Sequence, residues 1–221
     1  MRVLVTGGLG FIGSNAVRRF CDLGYDVLVL DNLSRKGSSS NLRFLEELCA
    51  FEFLEADLSV SSSFSQRFQS FKPERVLHLA GQVAVTTSVE KPMADFEGNT
   101  LATLNLLEEC RKLATPPFVI YSSTNKVYGE LEGIETNELP TRHAFKARLK
   151  GIPESQPLNF QSPYGCSKGA ADQYVLEYSR TYGVPGLVMR QSCIYGPRQF
   201  GMEDQGWVAW FMIAALMNRQ I

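Results

Sequence analysis

The chain has 221 residues, 44% of them hydrophobic and 20% charged, with a formal net charge of −1. That composition suits a soluble globular fold with a sizeable core, and the 22 basic residues are scattered among 23 acidic ones, so neither a nucleic acid nor a membrane partner is expected. Five cysteines, at positions 21, 49, 110, 166 and 193, are odd in number, widely spaced and free of any CxxC pair, which argues against a disulfide framework and a zinc or other metal site and fits a reducing cytoplasm.

Met1 to Thr6 enters a strand at once, without the basic region, apolar stretch and cleavage site of a secretory signal. Phe11 to Leu23 has helical periodicity and stops at Gly24, and Asp26 to Leu30 is a second strand. After a polar loop, Leu42 to Cys49 reads as helix, Phe51 to Glu55 as strand, Ser61 to Phe71 as helix and Arg75 to Ala80 as strand. A long helix from Pro92 to Leu113 leads to a strand over Phe118 to Ser122. The segment from Glu130 to Gln161, with three of the ten prolines and both charge signs, interrupts the alternation as a long inserted loop, either functional or disordered. Ser162 to Tyr182 then reads as a helix with Ser162 as N-cap, Pro163 at its first position and Gly183 as its stop. Gly186 to Gln191 is a strand, and the chain from Trp207 is helical. Val208 to Met217, the longest apolar run, is too short to span a bilayer.

Strands that read as continuous apolar runs, alternating with helices, predict an α/β fold: a doubly wound, Rossmann-type parallel sheet with helices on both faces. The whole chain, 1–221, is read as one domain, with 192–221 opening a substrate-binding region. Ligands of such a sheet gather at the carboxyl ends of its strands. There, between the first strand and helix, Gly7, Gly10 and Gly13 have GxxGxxG spacing. Glycines permit the tight turn and let backbone N–H groups approach a pyrophosphate at the helix N-terminus, although tight helix–strand packing alone also wants small residues. Asp31 closes the second strand where a carboxylate accepts a ribose 2′-hydroxyl and repels a 2′-phosphate, which favours NAD over NADP; Arg35 nearby softens the preference. An Asp that merely caps the turn before Asn32 is the other reading. Asp57 and Leu58, after the third strand, are placed to face an adenine. His78 reads as packed in its strand rather than catalytic.

Tyr164 and Lys168 stand four residues apart on one predicted helix and so share a face. A nearby ammonium favours the phenolate and lowers a tyrosine pKa toward the range useful for base catalysis, though YxxxK pairs also occur on solvated helix faces. Together with the glycine loop and a strand that ends in hydroxyls just before Thr124, the pair resembles the extended short-chain dehydrogenase/reductase family, whose NAD-dependent epimerases and dehydratases act mainly on nucleotide sugars. The resemblance covers essentially the whole chain. It implies Thr124, Tyr164 and Lys168 as the catalytic set. It implies a cofactor set of the three glycines, Phe11, Ile12, Asp31, Asn32, Ser34, Arg35, Asp57, Leu58, Leu79, Ala80, Gln82, Asn99, Tyr164, Lys168 and Gln191.

Dehydratases of that family place an acid directly after the hydroxyl residue, to protonate the leaving hydroxyl. Here Asn125 and Lys126 follow Thr124, and an amide does not serve, so hydride chemistry without dehydration is expected. LAGQVAVTTS at Leu79 to Ser88, STNKVYG at Ser123 to Gly129, SPYGCSKGAADQY at Ser162 to Tyr174 and RQSCIYGPRQFG from Arg190 resemble the branch that interconverts CDP-paratose and CDP-tyvelose. That closer resemblance implies a nucleotide-sugar substrate contacted by Gln82, Thr124, Asn125, Lys126 and Arg198, with loop solvation or a surface loop as the plainer reading of those side chains. It also implies a homo-oligomer, dimer or tetramer, through the two long helices. A C-terminal lobe follows in that family. This chain is therefore expected to hold the cofactor half and little of the substrate half, leaving Trp207, Trp210 and Phe211 uncovered.

Overall fold

In the computed structural model, which describes residues 1–146, 151–203 and 205–220, eight strands follow one another along the chain. They are β1 (Arg2–Thr6), β2 (Asp26–Asp31), β3 (Glu52–Glu55), β4 (Arg75–His78), β5 (Phe118–Thr124), β6 (Thr136–Leu139), β7 (Arg142–Phe145) and β8 (Gly186–Gln191). Six of them form one parallel sheet in the order β3-β2-β1-β4-β5-β8, while β6 and β7 pair as a separate antiparallel hairpin. The order reverses between β1 and β4, and such a switch point opens a crevice at the strands' carboxyl ends. The helices are α1 (Phe11–Asp22), α2 (Ser38–Glu46), α3 (Ser65–Phe71), α4 (Val85–Glu90), α5 (Pro92–Phe96), α6 (Ala102–Arg111), α7 (Ser162–Tyr182) and α8 (Trp207–Leu216).

The continuous apolar reading of the strands follows from burial on both faces. Leu4, Leu28, Leu30 and Val76 point into one core with residues of α3, α6 and α7, whereas Val3, Val5, Val27 and Val29 point into another with Leu9, Val17 and Leu45. Each fully buried Val or Leu contributes roughly 1.5–3 kcal/mol, so these few alternating residues fix the register of the central strands. Leu4 accordingly lies opposite both Leu28 and Val76.

Several elements differ from the sequence expectation. Helix α2 begins at Ser38 rather than Leu42, because Gly37 takes a left-handed turn (φ 93°) and Asn41, buried, donates to the Leu9 carbonyl at 2.9 Å. The helix expected over 92–113 is broken by a π-turn at Glu97–Leu101, the kind of irregularity that recurs at functional sites, and an unexpected short helix, α4, precedes it. Strand β5 runs on to Thr124, since Ser123 and Thr124 pair with Arg190 and Gln191 of β8. Part of the 130–161 segment folds as the β6–β7 hairpin; residues 147–150 of that segment lie outside the described residues.

Helix α7 has the expected bounds, but Gln161 rather than Ser162 stands at its N-cap; Ser162, the first residue of the helix with φ 61°, accepts the Gly165 N–H at 3.2 Å. Leu187 and Met189 of the edge strand β8 and Trp207, Phe211, Met212 and Leu216 of α8 are exposed, whereas Trp210, expected to be uncovered, is half-buried. Among the described residues no helix is long and apolar enough to cross a membrane.

Candidate active site

A cleft of about 520 Å³ lies over the β1/β4 switch point. One end is made of backbone. Gly7 has φ +65°, and a Cβ there would meet the Ala80 nitrogen at 2.7 Å; a Cβ on Gly13 would meet the Gly7 carbonyl oxygen at 2.2 Å. Both contacts are to main chain and cannot yield, so only glycine lets the loop close against α1. The first turn of α1 starts at Phe11 with no side-chain cap, leaving N–H groups and the positive end of the helix dipole at the cleft.

Asp31 sits beside this cradle, 8% exposed. Its carboxylate accepts the N–H of Leu9 at 3.0 Å and that of Leu33 at 2.9 Å, so it both pins the glycine loop and caps a turn. Burial raises its pKa, and the two N–H bonds oppose the rise. A carboxylate has about four lone-pair sites, so acceptors remain for a ribose hydroxyl. Asn32 donates to Asp57 at 2.8 Å, and Ser59 donates to Asp57 through its N–H and hydroxyl. Burial opposes ionisation of Asp57, but those bonds outweigh it and hold its pKa low.

The other end is made of side chains. Lys168 is buried, its Nζ donating to the Ser122 carbonyl at 2.6 Å and lying 4.4 Å from the centre of the Tyr121 ring. Burial lowers its pKa to about 7, against the pull of Asp95 and Asp172. Tyr164, 9% exposed, has Thr124 as the hydroxyl neighbour whose hydrogen bonding favours its ionisation. Here the sequence expectation is corrected. Burial raises the Tyr164 pKa, the Thr124 bond only partly offsets the rise, and Asp95 adds to it; the Lys168 ammonium is turned onto Ser122 and Tyr121 instead. In this state the phenol is held protonated, and a positive charge arriving in the cleft is what would favour the phenolate.

Asn99, in the π-turn, donates its amide to Asp95 (3.2 Å) and to the Ser167 hydroxyl (3.0 Å). Its buried Oδ1 is left without a partner, 2.5 Å from where a Gly81 Cβ would stand at the cleft floor. Ser38 Oγ and Gln199 Oε1, both from residues lining the cleft, also lack partners. Orphaned polar atoms around an N–H-rich cradle with a carboxylate at hand suit a ligand carrying both a pyrophosphate and sugar hydroxyls.

The structure brings Gly7, Gly10, Phe11, Ile12, Gly13, Asp31, Asn32, Ser34, Arg35, Asp57, Leu58, Leu79, Ala80, Gln82, Tyr164, Lys168 and Arg198 together around this one cleft. Several places differ from expectation. Asn99, Thr124, Asn125, Lys126 and Gln191 are not on the cleft lining; Gln191 accepts the Ser122 hydroxyl at 2.8 Å. Gln82 folds back, its amide engaging both backbone groups of Ala84. Arg198, expected at a substrate, binds Asn41 at 2.8 Å and the Ser40 carbonyl at 3.1 Å and stacks on Phe44, which puts it against α2 on the side of Asp31. Arg35 donates to Gln205. Asn125 and Lys126 are exposed beside the buried Thr124.

His78 is packed, as expected. It is fully buried between the hydroxyls of Thr6 (2.7 Å) and Thr103 (2.9 Å), and burial lowers its pKa to about 3. Sequence reading missed Asn41, Asp95, Ser122 and Ser167, whose polar groups lie within helices or strands and reveal their partners only in three dimensions. A polar residue on the apolar face of a helix was the available signal.

Comparison with known proteins agrees with this geometry. The sequence pattern of the NAD dependent epimerase/dehydratase family matches residues 3–221. The chain is 49% identical to a CDP-paratose 2-epimerase of Salmonella typhi over 96% of its own length and 62% of that protein's. It is 36% identical to a putative UDP-glucose 4-epimerase of Methanocaldococcus jannaschii, covering 98% of this chain and 64% of the other. The crystal structure of the Thermus thermophilus UDP-glucose 4-epimerase in complex with NAD superposes with a TM-score of 0.82 at 35% identity, over 100% of this chain and 64% of that one. The chain thus spans somewhat less than two thirds of the length of these relatives. NAD is its cofactor, and the chain belongs to the NAD dependent epimerase/dehydratase family.

Proposed function

We propose that this domain is the cofactor half of a nucleotide-sugar epimerase, with the glycine cradle, Asp31 and the Tyr164–Lys168 corner as its NAD site, and that its substrate is CDP-paratose, inverted at C2 to CDP-tyvelose. The observation that carries the reading is the meeting of Tyr164 and Lys168, with the buried Thr124 behind them, at one end of a cleft whose other end is a dinucleotide cradle. A protein that only bound a dinucleotide would have no use for a buried tyrosine–threonine pair beside a buried lysine.

Bound NAD supplies the hydride acceptor and, in its oxidised form, a positive charge. Tyr164 takes the proton of the sugar hydroxyl at the carbon to be oxidised, and Thr124 shares that hydrogen bond and fixes the oxygen. Lys168, held by Ser122, orients the ribose nearest the reaction. With the hydride of that carbon taken up by bound NAD and returned to the opposite face, Tyr164, giving its proton back, would leave no net oxidation. Asn125, an exposed amide where dehydratases have an acid, cannot protonate a leaving hydroxyl, which supports epimerisation over elimination.

The 49% identity to a CDP-paratose 2-epimerase supports that sugar; the identities of 36% and 35% to UDP-glucose 4-epimerases support the second reading, inversion at C4 of a UDP-hexose. Incubation with NAD and either CDP-paratose or UDP-glucose, followed by proton NMR, separates them. Inversion of the CDP-sugar alone is expected; inversion of UDP-glucose alone would replace the first reading by the second. The five free cysteines suit a cytoplasmic setting, and the exposed Val89, Met93 and Phe96 of α4–α5 with Tyr174 and Tyr182 of α7 suit self-association. Sedimentation of wild type beside Met93→Glu tests the latter, with a fall to monomer expected; an already monomeric wild type would count against it.

A further inference from the structure

We propose that Asp172 is a positioning residue for the reactive corner, acting through Ser123 and Arg190 to hold both ends of the segment that carries Thr124, Asn125 and Lys126. The inference rests in part on the function proposed above, which gives that segment its task.

Asp172 lies four residues beyond Lys168 on α7, on the same face, and is 0% exposed. Its Oδ2 accepts the Ser123 hydroxyl at 2.7 Å and Arg190 Nε at 2.9 Å; its Oδ1 accepts Arg190 Nη2 at 2.9 Å and Gln173 Nε2 at 2.8 Å. The third guanidinium nitrogen of Arg190, Nη1, donates to the Tyr128 hydroxyl at 2.8 Å, and the guanidinium carbon sits 5.0 Å from the centre of that ring. Ser123 is the residue before Thr124, and Tyr128 closes the single helical turn Asn125–Tyr128. One carboxylate therefore reaches both ends of a four-residue segment, directly at one end and through a bidentate arginine at the other.

A buried ion pair of this kind adds little net stability over an apolar pair of the same size, because desolvation offsets most of its attraction. Its use here is geometric. Between the two anchors, Thr124 must stay against Tyr164 while Asn125 and Lys126 project into solvent. A fork-shaped arginine and a carboxylate that fills its lone pairs allow one arrangement only. The hydroxyl, amide and ammonium side by side in STNKVYG thus stand on a strut whose parts lie in β5, α7 and β8.

Ser123→Ala and Tyr128→Phe each remove one bond at one end of the segment and leave the ion pair intact, so both variants are expected to fold. Displacements of about 1 Å at a reacting group are costly in rate. The double variant is therefore expected to lose about tenfold in kcat while NAD affinity, measured by calorimetry, stays within about twofold. The Tyr164 titration midpoint, followed by phenolate absorbance against a Tyr164→Phe reference, is expected to rise as Thr124 leaves the tyrosine hydroxyl. An unchanged titration midpoint with only a lowered melting temperature would overturn the proposal and leave the network as a structural strut. Absence of turnover in the wild-type chain on every sugar tried would sink the functional reading instead, and the titration, which needs no substrate, still decides the role of Asp172.

Discussion

The two ends of the cleft are built in different ways. At the phosphate end, selectivity comes from what is missing: side chains at Gly7 and Gly13 would strike main-chain atoms at 2.7 and 2.2 Å, and the open N–H groups of α1 do the binding. At the reactive end, it comes from what is present: a buried lysine bonded to Ser122 and facing the charges of Asp95 and Asp172, with a buried tyrosine and threonine beside it. A backbone site tolerates no added bulk but carries no titratable group of its own. A side-chain site can be emptied of chemistry by removing one oxygen, without disturbing the fold.

That contrast predicts opposite outcomes for substitutions at the two ends. Tyr164→Phe should lower epimerisation by about 10²–10⁴-fold, the usual worth of a positioned proton acceptor, with NAD affinity within about twofold of wild type in a calorimetric titration. Gly13→Val should do the reverse in kind. The added carbons meet main chain, so about 1–3 kcal/mol is lost to overpacking, and NAD affinity falls by up to about 100-fold. A Gly13→Val protein that binds NAD normally would break the distinction.

Asp31 belongs to the cradle by position but works through its side chain, and it sharpens the comparison. Asp31→Ser removes the charge that repels a 2′-phosphate and an acceptor for the 2′-hydroxyl. The ratio of NADP to NAD affinity should rise by about tenfold or more, each charged hydrogen bond being worth roughly 1.5–3 kcal/mol.

His78 tests the layer beneath both ends. Its folded pKa of about 3 lies below the ordinary 6.5, so the unfolded chain binds a proton that the folded one refuses. Its contribution to stability is then complete above pH 6.5 and is lost progressively as the pH falls from about 6.5 toward 3. Urea midpoints across that range should decline, and the His78 ring resonances should remain those of neutral imidazole at about pH 5. Protonation of His78 near pH 6 would contradict its placement between Thr6 and Thr103.

Legibility in the sequence followed the same division. The strands, the glycine loop and helix α7 were readable because each depends on a local pattern: apolar runs, fixed glycine spacing, a proline in the first turn and a glycine stop. Tyr164 and Lys168 were readable as a pair because one helix sets their spacing. Their electrostatics were not, since the environment of Lys168 is set by Ser122 and Tyr121, some forty residues away. The π-turn at Asn99, the early start of α2 at Ser38 and the turning of Arg198 onto Asn41 all depend on partners distant in the chain. The bond from Ser122 to Gln191 was not readable for the same reason, since it joins β5 to β8.

The most direct test is to supply CDP-paratose carrying deuterium at C2, with NAD in ordinary water, and read the product by NMR. The account predicts CDP-tyvelose with the deuterium still at C2, because the hydride leaves and returns within the cleft while Tyr164 handles only the hydroxyl proton. Inversion with the label washed out would mean that a proton, not a hydride, is removed from carbon, and the proposed roles of Tyr164, Thr124 and Lys168 would be wrong.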